Sequence, residues 1–544
     1  MKHVYFLVLV IYSSCLCAQE HAWVYLADKP DSVTALANPI SILTQKALDR
    51  KAAHNVSVDF RDVPVDETYI SSIKSQTGIT VVSKSKWFNA IHVLGTQSDI
   101  NELTTVTVNG TLIVSSIDFA DNALDARPSL NQNKHDFEAR LTTFNYGSAA
   151  NQVEMIGVDG LHQNSDSYTG TGMAVAVIDA GFPSVNTMSG FQRLRDANGI
   201  LGGYDFVDRN TDVYAYTGNS HGTWVLSDMA GFIQDQFVGT APDAEFYLFR
   251  TENAATETPL EESLWVEAAE RADSLGVDVI NSSLGYTTFD NPNYSYTPAQ
   301  MDGNTAYITK GANIAFEKGI LVVNSAGNSG GGSWQIVGAP ADAAGVFSIG
   351  AVQANGTYAS FSSTGNSTQP TQKPDVVAQG QASYAINTND NIITLNGTSF
   401  SSPILAGGIV CLWQALPTKS NAEIMQLVRE SASQYNTPDY FLGYGIPDLS
   451  LALADGLLSV DGFEDENTTL KVYPNPVAEQ LNIQLPSRFN DARVRLYDVL
   501  GKQVMDSKIT AIHKSINTSA LSKGVYLVKI EAKDLSVTRK IIKN

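Results

Sequence analysis

The stretch MAVAVIDAG at residues 173–181 decides the fold, because six apolar residues in a row run directly into an acid. Such a run without polar alternation is typical of a strand that is buried on both faces. Similar runs follow at Glu245–Phe249, Val277–Ile280 and Ile320–Val323. Helical stretches lie between or after them, at Leu260–Leu275, Thr305–Lys318 and Phe400–Leu416. This alternation predicts a doubly wound α/β domain with a parallel sheet, whose functional groups gather beyond the carboxyl ends of the strands.

Three residues with hydrolase chemistry stand at the ends of these predicted elements. Asp179 follows the first strand, His221 opens an apolar helical stretch, and Ser399 precedes another, in whose first turn we expect Pro403. Each residue alone has an ordinary interpretation, as a turn acid, a packed histidine and a helix cap. Between residues 151 and 458 the only other histidine is His162, which lies in a polar segment before the first core strand. A histidine base in this domain is therefore expected to be His221.

The motifs around these residues resemble those of the subtilisin-like peptidases (subtilases). They are Val177-Ile178-Asp179-Ala180-Gly181, His221-Gly222-Thr223 and Gly397-Thr398-Ser399, in the chain order Asp, His, Ser that this fold uses. The resemblance covers roughly residues 146–458. It implies a serine endopeptidase that acts on proteins or peptides through an acyl-enzyme intermediate, with Asp179, His221 and Ser399 as its catalytic triad.

Two intervening segments resemble further parts of the same family. Ser325-Ala326-Gly327-Asn328 is similar to the segment that supplies the oxyanion-hole asparagine, and residues 279–285 are similar to the strand that pairs with the substrate backbone. The resemblance implies catalytic work for Asn328 and substrate binding by Ser283, Leu284, Gly285 and Gly327. Two positions depart from the pattern, with Trp224 where a second histidine is usual and Phe400 where methionine is commoner.

The implied mechanism needs no cofactor for catalysis, whereas structural calcium is compatible with the resemblance because many relatives bind it. Asp205, Asp208 and Asp212 precede His221 closely enough to suggest a calcium loop. Their spacing lacks a full ligand pattern, so a solvated loop is the favoured interpretation.

Segments on either side of the peptidase region predict a multidomain secreted protein. Residues 1–18 combine a basic start, an apolar run and small residues, which predicts a signal peptide cleaved after Ala18, with lipid attachment at Cys15 or Cys17 as the alternative. Cleavage there leaves Cys411 as the only cysteine. Residues 19–145 are interpreted as a small α+β propeptide, an intramolecular inhibitor and folding aid, with its connector; a permanent accessory domain is the alternative. The peptidase domain then spans 146–458.

The last part of the chain differs electrostatically from the rest. An acidic linker at 459–470 precedes residues 471–544, which hold 13 Lys or Arg and 6 Asp or Glu, within a chain of formal net charge -21. Strand-like runs divided by glycines predict a small β-sandwich. The motifs Tyr473-Pro474-Asn475-Pro476 and Gly524-Val525-Tyr526-Leu527 resemble the C-terminal sorting domain of the type IX secretion system of Bacteroidetes, which implies that machinery as a partner and export to the medium or cell surface. A carbohydrate- or cell-wall-binding sandwich is the alternative.

Charge and hydropathy exclude other partners. A net charge of -21 argues against nucleic acid, and no stretch after residue 18 is long and apolar enough for a transmembrane segment in the mature chain. The rival hypothesis for the whole protein is a catalytically silent adhesin that retains the fold. An α/β-hydrolase esterase is disfavoured because Ser401 stands where the second glycine of a Gly-x-Ser-x-Gly elbow is required.

Overall fold

The computed structural model describes residues 19–121, 144–164 and 166–458, and residues 471–543 with gaps at 474–476, 486–488, 490, 498–501, 511–513 and 534. The predicted signal peptide, most of the connector and the acidic linker lie outside the described residues. Two compact units divide the chain, with the boundary between Leu458 and Ser459. Within the described residues, no helix is both long and apolar enough to cross a bilayer.

The N-terminal part of the first unit is a four-stranded antiparallel sheet with short helices, in the strand order β2-β3-β1-β6. Its elements are β1 (Glu20–Leu26), α1 (Ser32–Ala37), α2 (Gln45–Ala53), α3 (Glu67–Lys74), β2 (Thr80–Ser85), β3 (Ala90–Gly95), α4 (Gln97–Glu102), β4 (Thr107–Val108), β5 (Thr111–Leu112) and β6 (Val114–Phe119). Alternate residues of β1 face opposite ways, as strand geometry requires. Ala22 and Val24 enter the core of this domain, whereas Trp23 packs into a core that it shares with the peptidase region.

The middle of the chain forms a seven-stranded parallel sheet in the order β15-β14-β13-β12-β7-β11-β8. Its strands are β7 (Ala174–Asp179), β8 (Ile200–Asp205), β11 (Glu245–Arg250), β12 (Val279–Ser282), β13 (Leu321–Ser325), β14 (Val346–Val352) and β15 (Val376–Gln379). Two small hairpins accompany it, made of β9 (Phe232–Ile233) with β10 (Phe237–Val238) and β16 (Ser383–Ile386) with β17 (Ile392–Leu395). The predicted doubly wound α/β fold is confirmed.

Helices cover both faces of this sheet and explain the continuous apolar runs. They are α5 (Ala150–Glu154), α6 (Val158–Gln163), α7 (Gln192–Asp196), α8 (His221–Ala230), α9 (Pro259–Leu275), α10 (Tyr307–Glu317), α11 (Thr398–Ala415), α12 (Asn421–Glu430) and α13 (Leu449–Leu458). Val175 and Val177 of β7 pack with residues of α8 and α11, whereas Ala176 and Ile178 pack with residues of α9 and α10. Both faces of β7 are therefore removed from water.

The second unit consists of two antiparallel sheets, in the orders β18-β19-β22 and β21-β20-β23-β24. The strands are β18 (Lys471–Tyr473), β19 (Gln480–Gln484), β20 (Asp491–Tyr497), β21 (Gln503–Thr510), β22 (Ser515–Asn517), β23 (Gly524–Ala532) and β24 (Leu535–Lys543). Leu481, Val494 and Val528 from three strands share one core. The predicted all-β C-terminal domain is confirmed.

The N-terminal domain lies against helices α9 and α10 of the peptidase region. The indole of Trp23 stacks on the ring of Tyr307, with 4.4 Å between centroids, and its Nε1 donates to Ser263 Oγ at 2.8 Å. The carboxylate of Glu270 accepts bonds from the backbone amides of Lys86 and Trp87, each at 2.9 Å. Aromatic packing and hydrogen bonds therefore hold the sheet of this domain on the two helices.

A buried network of charges completes this contact. The N-terminal domain supplies Arg50, Lys51 and Asp62, and the peptidase region supplies Asp273 and Lys318. Asp273 Oδ1 lies 2.6 Å from the guanidinium of Arg50 and 2.8 Å from Lys51 Nζ, and Lys318 Nζ lies 2.7 Å from Asp62. Burial opposes ionisation of Asp273, but the adjacent cations outweigh it and lower its pKa. Each domain thus neutralises buried charges of the other.

We predict that Asp273→Asn destabilises the intact chain by about 3–5 kcal/mol, because it leaves Arg50 buried without its counter-ion and Lys51 with only Asp62, 3.2 Å away. Thermal and denaturant unfolding of the purified full-length chain measures the loss. Glu67→Gln is the matched control, since it breaks the solvent-exposed pair with Lys84, and such pairs contribute about 1 kcal/mol or less. Equal stability of the Asp273→Asn and Glu67→Gln variants contradicts the importance given to the network.

Candidate active site

Asp179 stands at the carboxyl end of β7, between the neighbouring strands β11 and β12. Its side chain is fully buried. Oδ1 accepts a bond from the amide of Ala180 at 2.7 Å and lies 2.8 Å from His221 Nδ1. Among the described residues, Oδ2 has no hydrogen-bond partner. The rigid strand therefore fixes a carboxylate against one nitrogen of the imidazole.

His221 is the first residue of α8, and its backbone amide donates to Asn219 Oδ1 at 2.9 Å. The glycine that follows makes the close approach to Asp179 feasible. A Cβ on Gly222 would lie 2.6 Å from the carbonyl oxygen of Gly181 and 3.0 Å from the Cβ of Asp179. Any larger residue would push the start of α8 away from the end of β7. Steric contact therefore requires glycine directly after His221.

The environment of His221 raises its pKa above 6.5. Burial alone acts in the opposite direction, but the charge and hydrogen bond of Asp179 outweigh it, and the charge of Glu252 adds to the increase. Donation from Nδ1 to Asp179 leaves Nε2 as the nitrogen that can accept a proton. His162, the other histidine of this region, is bonded through both ring nitrogens to Tyr146 and Thr240 inside the core.

Ser399 is the second residue of α11, and the ring of its neighbour Phe400 lies 5.9 Å from the imidazole of His221. The start of α11 therefore faces the start of α8. Our placement of Pro403 in the first turn is wrong, because α11 begins at Thr398 and Pro403 lies deeper inside it. Proline has no amide hydrogen for the carbonyl four residues earlier, which is that of Ser399. Ser283 Oγ donates to that carbonyl instead, at 3.0 Å.

Asn328 follows β13 and is tied to the residue before Ser399. Its Oδ1 accepts bonds from the backbone amide of Thr398 at 2.9 Å and from Thr398 Oγ1 at 3.1 Å. These bonds leave the amide group Nδ2 available as a donor. Gly327 has a φ of +102°, and a Cβ there would lie 2.9 Å from Ser363 Oγ, so the turn that presents Asn328 requires glycine.

The predicted substrate-binding segment follows β12 at the same edge of the sheet. Ser283 is bonded to Ser399 as described, Leu284 is partly buried and Gly285 is exposed. The carbonyl of Leu284 accepts a bond from Asn324 Nδ2 at 3.0 Å, which ties this segment to β13. The structure thus brings together, at one sheet edge, residues separated by up to 220 positions in the chain, as the parallel architecture requires.

Glu252 is a site residue that the motif analysis missed. It follows β11 and lines a pocket of about 420 Å³ together with His221 and Leu284. Its Oε1 accepts bonds from Tyr286 Oη at 2.6 Å and Thr251 Oγ1 at 2.8 Å, and burial raises its pKa to about 7. A signal was present in the sequence, because Glu252 stands just after a predicted strand, where functional groups collect.

The acidic loop considered as a calcium site has other partners. Asp205 and Asp208 each lie 2.7 Å from the guanidinium of Arg250, and Asp205 Oδ1 also accepts the amide of Val207. Across the described parts of the chain, no group of three or more His, Cys, Asp or Glu side chains is arranged to hold a metal ion.

Three parts of the chain match known protein families. The subtilase family model matches residues 170–445, the model of the Bacteroidota S8 propeptide domain matches 21–136, and that of a secretion system C-terminal sorting domain matches 471–544. Subtilisin DY of Bacillus licheniformis is 31% identical over 290 residues, 53% of this chain and 93% of the relative. Subtilisin E of Bacillus subtilis (strain 168) is 32% identical over 303 residues, 55% of this chain and 70% of the relative.

The chain therefore belongs to the subtilase family of serine peptidases, as the motifs predicted. It combines the peptidase with an S8 propeptide domain and a type IX sorting domain, and the sorting domain indicates export to the cell surface or the medium.

We predict that Asp179→Asn lowers turnover by about 10⁴-fold, because the imidazole is no longer held in the productive tautomer, and moves the acidic limb of the kcat/KM profile to lower pH. His221 must be neutral to accept a proton, so activity falls as pH drops through its pKa. Removing the Asp179 charge lets burial lower that pKa. Stopped assays with a fluorogenic peptide from pH 4 to 9 give both values.

Asp228→Asn is the matched control, because Asp228 is equally buried on α8 but accepts its bond from Gln152 Nε2, at 3.2 Å, and not from His221. Its acidic limb should coincide with that of the unmodified enzyme. An unchanged limb in the Asp179→Asn enzyme contradicts the pairing of Asp179 with His221 during catalysis.

Proposed function

We propose that the protein is an exported endopeptidase that hydrolyses peptide bonds in proteins through Asp179, His221 and Ser399. The observation that carries the proposal is the 2.8 Å contact between Asp179 Oδ1 and His221 Nδ1 beside the start of α11. The dipole of α11 also supports the proposal, since a helix N-terminus stabilises negative charge that develops at Ser399.

The proposed reaction has two halves. His221 Nε2 takes the hydroxyl proton as Ser399 Oγ attacks the peptide carbonyl, and the protonated imidazole then gives that proton to the leaving amine. Water attacks the resulting ester in the same way, which releases the acid and regenerates Ser399. Asp179 holds the imidazole tautomer and offsets its positive charge, while Asn328 Nδ2 and the Ser399 amide donate to the oxyanion.

Residues on two segments are proposed to hold the substrate backbone. Leu284 and Gly285 present an accessible edge after β12, and the buried Ser283 supports it through its bond to the Ser399 carbonyl. Gly327 keeps the facing turn free of a side chain. No step assigned to these residues uses a metal or another cofactor. Structural calcium stays a prediction without an assigned ligand set.

The N-terminal domain is proposed to act as the intramolecular inhibitor. Its described chain ends close to the cleft, because Asp121 Oδ2 accepts a bond from Asn293 Nδ2 at 3.2 Å, in the segment that also carries Asp290 of the pocket beside His221. The charge network anchors the same domain behind the cleft. The C-terminal domain is proposed to be the part that the type IX secretion machinery recognises.

We predict that Ser399→Ala abolishes nearly all peptidase activity and leaves the chain at precursor size if processing is autocatalytic, because the nucleophile is missing. Hydrolysis of a denatured protein substrate and the mass of the secreted chain measure both effects. Ser401→Ala is the matched control, since Ser401 lies on the same helix and its hydroxyl donates to the carbonyl of Thr398.

A cooperative thermal transition must accompany the loss of activity, to show that the variant is folded. Full cleavage by a folded Ser399→Ala protein contradicts the proposed mechanism, and inactivity of the unmodified mature chain favours the silent adhesin.

A further inference from the structure

The pocket beside His221 is lined by four carboxylates, and we call it the acidic pocket. It encloses about 420 Å³ between the start of α8, the loop after β11 and the segment after β12. Among the residues that the structure describes, no lysine or arginine contributes to its lining. The residues that matter for its chemistry are His221, Glu252, Glu257, Glu261, Leu284 and Asp290.

The four carboxylates have only uncharged partners among the described residues. Glu252 accepts from two hydroxyls, and Glu261 accepts the amides of Asn253 and Thr258, each at 2.9 Å. Asp290 accepts the amide of Glu257 at 3.1 Å. No lysine or arginine forms an ion pair with any of the four in the part of the chain that the structure describes.

Burial, and then repulsion from neighbouring carboxylates, raises the pKa of Glu252, Glu257 and Glu261. Burial, with the charge of Glu252, raises the pKa of Glu261 to about 8, and burial, with the charge of Asp290, raises that of Glu257. A cation that enters the pocket stabilises the carboxylates, because its charge offsets both their mutual repulsion and the hydration that they lose on burial.

Two other lining residues connect the pocket to the substrate. His221 is the proposed base, and Leu284 belongs to the segment proposed to pair with the substrate backbone. A side chain of the peptide that is being cleaved can therefore occupy the pocket. Side chains of an extended peptide alternate in direction, so the second residue before the scissile bond points away from the first and can enter a different pocket.

We propose that the acidic pocket selects substrates with lysine or arginine as the second residue on the N-terminal side of the scissile bond, with Glu252 and Glu257 as specificity-determining residues. This inference rests on the proposed function. A lysine or arginine stem has the length to reach past His221 and place its charge among the carboxylates.

The test compares three peptides that differ only at this second residue, which is lysine, norleucine or glutamate. The mature enzyme should cleave the lysine peptide with a kcat/KM about tenfold above that of the norleucine peptide, and the glutamate peptide should be poorer still. Norleucine has a similar stem without the charge, so the lysine-to-norleucine ratio isolates electrostatics. The ratio should fall as sodium chloride is raised from 0.05 to about 1 M, because salt screens the attraction.

Substitutions test whether Glu252 and Glu257 cause the preference for lysine. The lysine-to-norleucine ratio should approach one in the double variant Glu252→Gln/Glu257→Gln. It should be retained in Glu154→Gln, which removes an exposed carboxylate outside the pocket. The salt series on the unmodified enzyme needs no variant, so it tests the inference even if the double variant fails to fold.

A ratio near one in the unmodified enzyme at low salt overturns the inference but leaves the proposed peptidase function standing. A ratio that survives in the folded double variant overturns the role of Glu252 and Glu257. Absence of cleavage of all three peptides contradicts the proposed function and the inference together.

Discussion

The hydrogen bond between Asp179 and His221 forms only if both residues are held in place, and the sheet and helices of the peptidase region hold them. Asp179 is fixed because β7 is buried on both faces and paired with a strand on each side. His221 reaches it only because Gly222 allows α8 to approach within van der Waals distance. The parallel sheet places the segments carrying Ser283 and Asn328 at the same edge, and both are tied to the start of α11.

The N-terminal domain is held by contacts that differ from those of the catalytic edge. Trp23 and Tyr307 provide an aromatic stack, and buried charges from both domains neutralise one another behind the cleft. Buried ion pairs are worth little compared with apolar packing, but losing one partner is costly. When the N-terminal domain separates from the peptidase region, all of these charges must be rehydrated together. The separation is therefore expected to be cooperative.

Much of this arrangement was predictable from the sequence because the relevant signals are local. The run before Asp179 gave a buried strand to within one residue, and the predicted ends of the other three strands were close to those observed. Strands β8, β14 and β15 were not predicted. Two glycines interrupt β8, Ser348 and Gly350 interrupt β14, and β15 has only three apolar residues in a row.

The site itself was predicted unevenly. Subtilase membership is confirmed, whereas the catalytic and binding roles of Asp179, His221, Ser399 and Asn328 stay predictions that the geometry supports. Ser283 as a partner for the Ser399 carbonyl could not be predicted, because it follows from where Pro403 falls in α11. The acidic pocket could not be predicted either, since its carboxylates come from three segments that only the tertiary fold brings together.

The most direct measurement is covalent labelling of the mature enzyme with a fluorophosphonate, followed by peptide mapping by mass spectrometry. Such a probe reacts with a serine only where a base and an oxyanion site act on it together. The account predicts one stoichiometric adduct on Ser399, with loss of activity in proportion to labelling. A stoichiometric adduct on another residue, or full activity after Ser399 is labelled, would contradict it.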